Sequence, residues 1–574
     1  MMDNIEPLFE NIHKKRSLGQ ILSTEELFLL LADCMIEQRL FLSPNWKWLY
    51  GGVRYLPSAP SITKPEKILV SQWPSPLGDT AMCANFFSVL RQKYPHSEIS
   101  FLSGDNGRQF HQSNPFIDVL IDNPLDTYFK AISGNRPIRI DLLLDHAISF
   151  VNRLKDYQYD LLINLHILPM GAVLSKLASP KETIGMTLAD DGMPVIKGNL
   201  WALYLFGVSA NLMRYYNTVH RSEIFRFMID ENQEFAPEFK YNFTEEIVGT
   251  VQTQFDAHGI QDNDFVVGMS PLSKWPSKVW NKFDMLAKRL EKIFGAKIVM
   301  FGSREDASKI QGIIKKSDIH VLEATGFNIN ELLAAICGCD LFITNDTGPL
   351  HVACCLQKKV IALFGPTNVY EVGPWGTESL VLQSSQCNGC LKPSCDKSDF
   401  CMDHICVDDV INAAGLLMSQ KPPRMSSKIS SLTNIYSSGK ENFASVVHEV
   451  ISKAYLFYFK QKNKSFENNM SLPAIQGGVD HKDIGILLKE CSDFKRRVKT
   501  ALSALGSRDY IKVKETNRYL TRYNGFLKNI EVVNSTKYIE KRNYKNIGTG
   551  ALKKYYSEIV NDIDHFTKLI ESVL

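Results

Sequence analysis

Long hydrophobic runs, a strong excess of one charge and a signal-peptide pattern are all missing from this sequence. Residues 1–16 contain no apolar core of the kind that a secretory signal peptide needs, and no uninterrupted apolar stretch is long enough to span a membrane. Hydrophobic residues make up 44% of the chain and charged residues 22%, which is typical of globular proteins. We therefore expect a cytoplasmic protein. Its 574 residues are too many for one core and predict two or three domains.

The net charge of +3 conceals an uneven distribution along the chain. Residues 425–574 contain 25 lysines and arginines against 15 aspartates and glutamates, a net charge of +10, so the remainder carries −7. Apolar residues recur at helical spacing here, and we interpret this stretch as a basic helical C-terminal region. It indicates contact with phosphates, anionic lipid or an acidic partner, or else a solvated helical surface.

One stretch has the pattern of a phosphate-binding site. A buried-type strand at 341–344 ends in a polar turn at 345–348, and helical character resumes at Pro349. The start of a helix leaves backbone N–H groups unpaired at the positive end of the helix dipole, where proteins commonly bind phosphate. A second strand at 360–364 ends in the Gly-Pro-Thr turn 365–367. Because strand ends of an open parallel sheet face one crevice, the stretch predicts an anionic ligand.

The sequence Asn-Asp-Thr-Gly-Pro-Leu-His at 345–351, with Leu-Phe-Gly-Pro-Thr at 363–367, resembles the donor-binding signature of glycosyltransferase family 9. This family comprises the ADP-heptose heptosyltransferases that build the inner core of lipopolysaccharide. The resemblance implies an α/β protein with the GT-B fold, in which two Rossmann-like doubly wound domains face a cleft. It also implies donor binding by the residues Asp346, Thr347, Gly348, Pro349 and His351.

A carboxylate lies at the corresponding turn of the first predicted domain. The apolar run 68–70 predicts a parallel strand, and a helical pattern follows the turn-rich segment 71–80. In family 9 the matching Leu-Gly-Asp segment supplies the catalytic base, which implies that role for Asp79. The alternative is a helix N-cap, which would place Asp79 at the same turn for stability alone.

The resemblance implies two more donor-binding residues in the second domain. Family 9 has a lysine just before a tryptophan, where the ammonium can neutralise the donor diphosphate. Lys278 before Trp280 matches best, and Lys274 before Trp275 is the rival. Glu305 follows the next predicted strand, where it could accept hydrogen bonds from ribose hydroxyls. The alternative for Glu305 is a first-turn acid that the helix dipole favours.

Composition and motifs together predict four segments. They are an N-terminal helical extension (1–64), an N-terminal Rossmann-like acceptor domain (65–245), a C-terminal Rossmann-like donor domain (246–424) and the basic helical region (425–574). Strand and helix patterns alternate in the two middle segments, as in parallel sheets covered by helices on both faces.

Five of the twelve cysteines lie in the donor domain's loop 387–406. Four of them have a spacing that lets one loop wrap a tetrahedral ion: Cys387, Cys390, Cys395 and Cys401. Family members that glycosylate autotransporter adhesins hold a structural iron in a similar loop, so the resemblance implies structural iron or zinc. The alternative is a loop of free thiols. Cys406 is surplus, and His404 is a substitute ligand.

The resemblance implies an inverting transfer of a heptose or related sugar from an ADP-sugar to a hydroxyl acceptor, with no cofactor required for catalysis. The acceptor would be a lipid-linked saccharide. Contact with the membrane surface and assembly into a homo-oligomer are both compatible with the sequence. One alternative is a protein O-heptosyltransferase acting on an adhesin hydroxyl. Another is a catalytically silent GT-B scaffold whose basic tail binds nucleic acid or another protein; for the enzyme we expect no nucleic-acid partner.

Overall fold

Apolar runs in the sequence form two sheets in the computed structural model, which describes residues 6–37, 53–384, 390–418 and 433–437. Within these ranges, positions 19, 59–60, 210–216, 218, 233, 239 and 396–399 are not described. Both sheets belong to one compact unit, Met1–Phe206 with His220–Ser438. Apart from 433–437, the predicted basic helical region lies outside the described residues.

The first sheet has seven strands in the order β1-β7-β6-β5-β2-β3-β4. Neighbouring strands run parallel except β6 and β7, which form an antiparallel hairpin. The strands are β1 (Arg54–Pro57), β2 (Lys67–Ser71), β3 (Glu98–Leu102), β4 (Val119–Ile121), β5 (Leu161–Asn164), β6 (Glu182–Leu188) and β7 (Pro194–Gly198).

Ten helices accompany this sheet in the described residues, and α2 packs against α7 and α8. They are α1 (Glu6–Ser17), α2 (Thr24–Glu37), α3 (Leu77–Met82), α4 (Ala84–Lys93), α5 (Asp105–Phe110), α6 (Leu125–Ser133), α7 (Ile140–Asp156), α8 (Pro169–Leu177), α9 (Leu200–Ser209) and α10 (Arg221–Phe227).

The second sheet also has seven strands, in the order β10-β9-β8-β11-β12-β13-β14. All neighbours are parallel except β13 and β14. The strands are β8 (Val266–Ser270), β9 (Lys297–Phe301), β10 (Val321–Ala324), β11 (Leu341–Asn345), β12 (Lys359–Phe364), β13 (Ser379–Ser384) and β14 (Thr433–Ser437). Its helices are α11 (Glu245–Ala257), α12 (Phe283–Phe294), α13 (Ala307–Ser317), α14 (Ile329–Cys337), α15 (Gly348–Cys355), α16 (Val369–Val372) and α17 (Val407–Leu417).

The central strands of both sheets are buried on both faces. Every residue of β5, β8 and β11 is buried, which explains why these strands are continuous apolar runs and do not alternate with polar residues. Trp280 and Phe283 pack into the core of the second sheet. Each large side chain buried in this way contributes roughly 1.5–3 kcal/mol to the free energy of unfolding. Rigid strand ends therefore carry the loops of the candidate site.

Most strands predicted from apolar runs are present, and the α/β prediction is confirmed. Ser23 and Glu26 cap the start of α2, with the Ser23 N–H donating to Glu26 Oε2 at 2.9 Å. The structure differs at β14, because residues 433–437 form an edge strand inside the stretch that the sequence predicted as a basic helical region. No helix among the described residues is long and apolar enough to cross a bilayer.

Candidate functional site

Two glycine-containing turns, one from each sheet, are in direct contact. Gly78 lies in α3 after β2, and Gly348 begins α15 after β11. A Cβ atom added to Gly78 would lie 3.4 Å from Cα of Gly348 and 3.1 Å from Cδ2 of His351. Larger residues at these positions would push the two turns apart. The close approach brings the predicted base and the predicted phosphate turn into one site.

The start of α15 has the open backbone groups that the sequence predicted. Thr347 is the N-cap residue, its side chain makes no capping hydrogen bond, and Pro349 lies in the first turn. Thr347 and Gly348 are partly exposed. Backbone N–H groups at such a helix start can donate to an anion.

A buried ion pair lies directly beneath this turn. Asp346 is only 4% exposed, its Oδ2 lies 2.6 Å from Nζ of Lys278, and the same oxygen accepts a 2.5 Å hydrogen bond from Thr367 Oγ1. Burial would raise the pKa of Asp346, but the Lys278 ammonium and the Thr367 hydroxyl outweigh it and hold the pKa below its ordinary value. Lys278, Asp346 and Thr367 lie in the loops that follow β8, β11 and β12, so their contacts connect these three loops.

Lys278, and not Lys274, points to the phosphate turn. Lys278 ends a short 3₁₀ turn, Pro276–Lys278, and its ammonium also lies 4.7 Å from the ring centre of Trp275. Ser277 anchors this turn to the segment around Lys392 with two hydrogen bonds. Its Oγ donates to the Lys392 carbonyl at 2.5 Å, and its N–H donates to the Pro393 carbonyl at 3.1 Å. Lys274 is exposed.

Asp79 lies in the first turn of α3, but it is not the N-cap. The N-cap position belongs to Pro76, so the capping alternative does not describe this aspartate. Its side chain is 30% exposed, and its backbone carbonyl accepts a 2.9 Å hydrogen bond from Gln72 Nε2. The carboxylate is therefore accessible from the cleft and fixed through its main chain.

Neutral histidines flank Asp79. His166 follows β5, the strand next to β2 in the sheet, and His351 lies in α15. Burial lowers the pKa of each imidazole to about 4, although the charge of Asp79 opposes the shift. His166 Nδ1 accepts a 3.1 Å hydrogen bond from the Leu168 N–H, so the neutral ring carries its proton on Nε2. Both rings are polar but uncharged at neutral pH.

Arg221 connects the base to the second sheet. One guanidinium nitrogen lies 4.0 Å from Oδ1 of Asp79, and another lies 2.6 Å from Oε1 of the fully buried Glu371. Sequence patterns did not predict a role for Arg221, Glu371 or His166. No local signal marks the arginine pair, since its two residues are 150 positions apart. His166 could have been suspected from its place at the end of a buried strand.

Glu305 makes none of the contacts described above. Glu305 is exposed in a 3₁₀ turn, Arg304–Asp306, whose capping box is formed by Ser303 and Asp306. Its role as a ribose ligand remains a prediction.

The metal site also remains a prediction, because Cys387 lies outside the described residues. Cys390, Cys395 and Cys401 are partly exposed. Within the described part of the chain, no three His, Cys, Asp or Glu residues gather closely enough to hold a metal ion. The described cysteines alone therefore do not make the predicted four-thiolate site.

Comparison with known proteins identifies similar sequences and a similar fold. The sequence profile of glycosyltransferase family 9 (heptosyltransferase) matches residues 147–399. The matched stretch is 253 of the 574 residues, and it is called the family 9 region below. The family 9 region contains the phosphate turn, Lys278 and Arg221, whereas Asp79 precedes it.

Curated relatives of the family 9 region are heptosyltransferases. Lipooligosaccharide heptosyltransferase 2 of Campylobacter jejuni is 31% identical over 162 residues, which are 27% of this chain and 51% of the relative. Lipopolysaccharide heptosyltransferase 3 of Escherichia coli K12 is 24% identical over 309 residues, 53% of this chain and 84% of the relative. The chain spans about half the length of the two Campylobacter heptosyltransferase 2 relatives, at 51% and 49%.

A solved structure shows the same fold. The family 9 glycosyl transferase from Veillonella parvula superposes with a TM-score of 0.51 at 24% identity, covering 62% of this chain and 98% of that structure. The two doubly wound sheets facing a cleft are the GT-B arrangement that the sequence predicted.

Proposed function

We propose that this protein is an inverting glycosyltransferase that moves a heptose, or a related sugar, from an ADP-sugar to a hydroxyl group in lipopolysaccharide core or cell-surface glycan assembly. The observation that carries the proposal is the contact between Gly78 and Gly348. It places an accessible carboxylate beside an open helix start and a lysine, which is the minimum that a direct displacement at a sugar carbon requires. The names of the heptosyltransferase relatives support the choice of sugar.

Asp79 would act as the general base. It would take the proton of the acceptor hydroxyl as that oxygen attacks the anomeric carbon, while the bond from this carbon to the diphosphate breaks on the opposite side. Its 30% exposed side chain is accessible to the acceptor. The rings of His166 and His351 beside it are uncharged at neutral pH, because burial lowers the pKa of each imidazole to about 4.

Lys278 and the start of α15 would hold the leaving diphosphate. An ammonium offers three N–H donors, and Asp346 engages the group at 2.6 Å, so further N–H groups can donate to phosphate oxygens. The N–H groups at Thr347 and Gly348 would add fixed dipoles where negative charge develops. A metal at the cysteine loop, if bound, would brace that loop and take no part in these steps.

Calorimetry with nucleotides tests the donor site directly. Wild-type protein should bind ADP in preference to UDP, GDP and CDP, and Lys278→Ala should weaken ADP binding at least about tenfold, because one charged hydrogen bond contributes roughly 1.5–3 kcal/mol. Lys274→Ala is the matched control, since this lysine lies in the same loop but is exposed.

Folded wild-type protein that binds none of the four nucleotides would overturn the transferase proposal. The silent-scaffold alternative would then be favoured. An adhesin acceptor is a separate question, because it changes the attacking hydroxyl and leaves the donor site unchanged.

A further inference from the structure

We propose that Arg221 is a positioning residue for the base Asp79. Glu371 binds the guanidinium and keeps it near the Asp79 carboxylate but outside hydrogen-bond range. The inference rests on the proposed function and deepens it. It arises from two distances on one guanidinium, 2.6 Å to Glu371 and 4.0 Å to Asp79.

The two contacts differ in kind. The shorter one is a charge-assisted hydrogen bond, whereas 4.0 Å exceeds hydrogen-bond range and leaves only Coulombic attraction. The Asp79 oxygen therefore keeps a lone pair for the acceptor proton while the positive charge favours the ionised carboxylate. A direct hydrogen bond from Arg221 would stabilise the ionised carboxylate further and make it a weaker base.

Glu371 accounts for the position of the guanidinium. Its side chain is fully buried and belongs to α16, which follows the Thr367 turn of the donor side. Arg221 belongs to α10, which packs against α4 beside the first sheet. The Nε–H of Arg221 has no hydrogen-bond acceptor among the described residues. The carboxylates of Glu371 and Asp79 therefore orient the guanidinium. The arginine thereby couples the base to the loop that binds Asp346 through Thr367.

The other titratable groups that interact with Asp79 in the described part of the chain do not supply this charge. They are His166 after β5, His351 in α15 and Cys83 behind α3. Burial lowers the pKa of both imidazoles to about 4, and burial raises the pKa of the Cys83 thiol well above its usual range. All three groups are uncharged near neutral pH. Arg221 is charged: burial alone would lower its pKa, but the carboxylates of Glu371 and Asp79 outweigh burial and raise it.

The experiment measures ADP release from ADP-heptose, with truncated lipooligosaccharide as acceptor, from pH 9 down to about pH 3, so that it spans the ordinary range of an aspartate. Arg221→Met should lower kcat about tenfold or more, since small displacements of a reacting group are costly. It should also move the acid limb of kcat upward, because the positive charge 4.0 Å from the Asp79 carboxylate has been removed. Glu371→Gln should lower kcat but move the acid limb downward, because the released guanidinium can pair with Asp79. ADP affinity should change less than twofold in both variants.

Arg226→Met is the matched control. Arg226 lies on the same helix with a similarly buried side chain, 12% exposed against 14% for Arg221, and pairs with Glu223 at 2.7 Å instead of facing the base. It should leave the pH profile unchanged. Acid limbs that do not move, or that move in the same direction in Arg221→Met and Glu371→Gln, would overturn the inference.

A second measurement needs no acceptor. The urea midpoints of Asp79→Asn, Arg221→Met and the double variant should be non-additive, since contacting residues couple. Additive shifts would refute the contact even if no turnover were seen. If wild-type protein binds ADP but Arg221→Met changes neither the pH profile nor the additivity of the urea midpoints, only this inference is refuted. Absence of nucleotide binding would refute the proposed function.

Discussion

Replacing Asp346 by asparagine should destabilise the donor side of the fold by an amount that the structure allows us to bound. Removing one partner of a buried ion pair costs about 3–5 kcal/mol when the other charge stays buried. Here the Lys278 side chain is 16% exposed, so its ammonium regains some water, and asparagine can still accept the Thr367 hydrogen bond. We therefore expect a loss of about 2–3 kcal/mol in the free energy of unfolding.

A double-mutant cycle isolates the pair itself. The unfolding free energies of Asp346→Asn, Lys278→Met and the double variant, measured in urea, should give a coupling energy of about 1.5–3 kcal/mol. Lys274→Met is the control and should stay within about 0.5 kcal/mol of wild type, because exposed substitutions away from special contacts have small effects.

The pH dependence of this coupling follows from the lowered pKa of Asp346. A depressed carboxylate pKa adds stability that is fully present above the ordinary value of about 3.9 and is lost as the pH falls through the lower, folded-state value. The coupling should thus be constant from pH 6 to pH 8. A coupling below about 0.5 kcal/mol, or an equal loss in Lys274→Met, would refute the assignment of Lys278 to this pair.

Two further predictions concern Ser277 and His351. Ser277→Ala removes the hydrogen bond to the Lys392 carbonyl, so urea unfolding should show a loss of about 1 kcal/mol and calorimetry a severalfold weaker affinity for ADP. Ser277→Thr keeps the hydroxyl and should restore both values. An unchanged ADP affinity in Ser277→Ala would contradict the claim that this bond positions Lys278. Burial lowers the pKa of His351 to about 4, so the unfolded chain binds the extra proton first and stability falls as the pH drops from about 6.5 toward 4. His351→Gln should therefore reduce the loss of unfolding free energy between pH 7 and pH 5 by about 1–2 kcal/mol, and an unchanged slope would show that this ring is not buried as a neutral base.

Local sequence signals were enough to predict the parts of the site that one turn contains. Apolar runs end where β2, β11 and β12 end, and the turns after them carry Asp79 and the phosphate-binding residues. These positions are predictable because strand, turn and helix are each encoded within about ten residues.

Contacts between distant segments were not predictable in this way. Lys274 and Lys278 both lie close before a tryptophan, and only the 3₁₀ turn at Pro276–Lys278 decides which ammonium reaches Asp346. Arg221 and Glu371 lie on different sheets' connecting helices. Their pairing depends on how the two sheets face each other, which no window of sequence records.

The most direct test of the central claim is Asp79→Asn, measured for both ADP binding and ADP release from ADP-heptose. The amide keeps the shape of the side chain but cannot accept the acceptor's proton, so ADP affinity should stay within about twofold while turnover falls by about 10²–10⁴. Turnover that survives in the asparagine variant, with ADP binding intact, would contradict the assignment of Asp79 as the base.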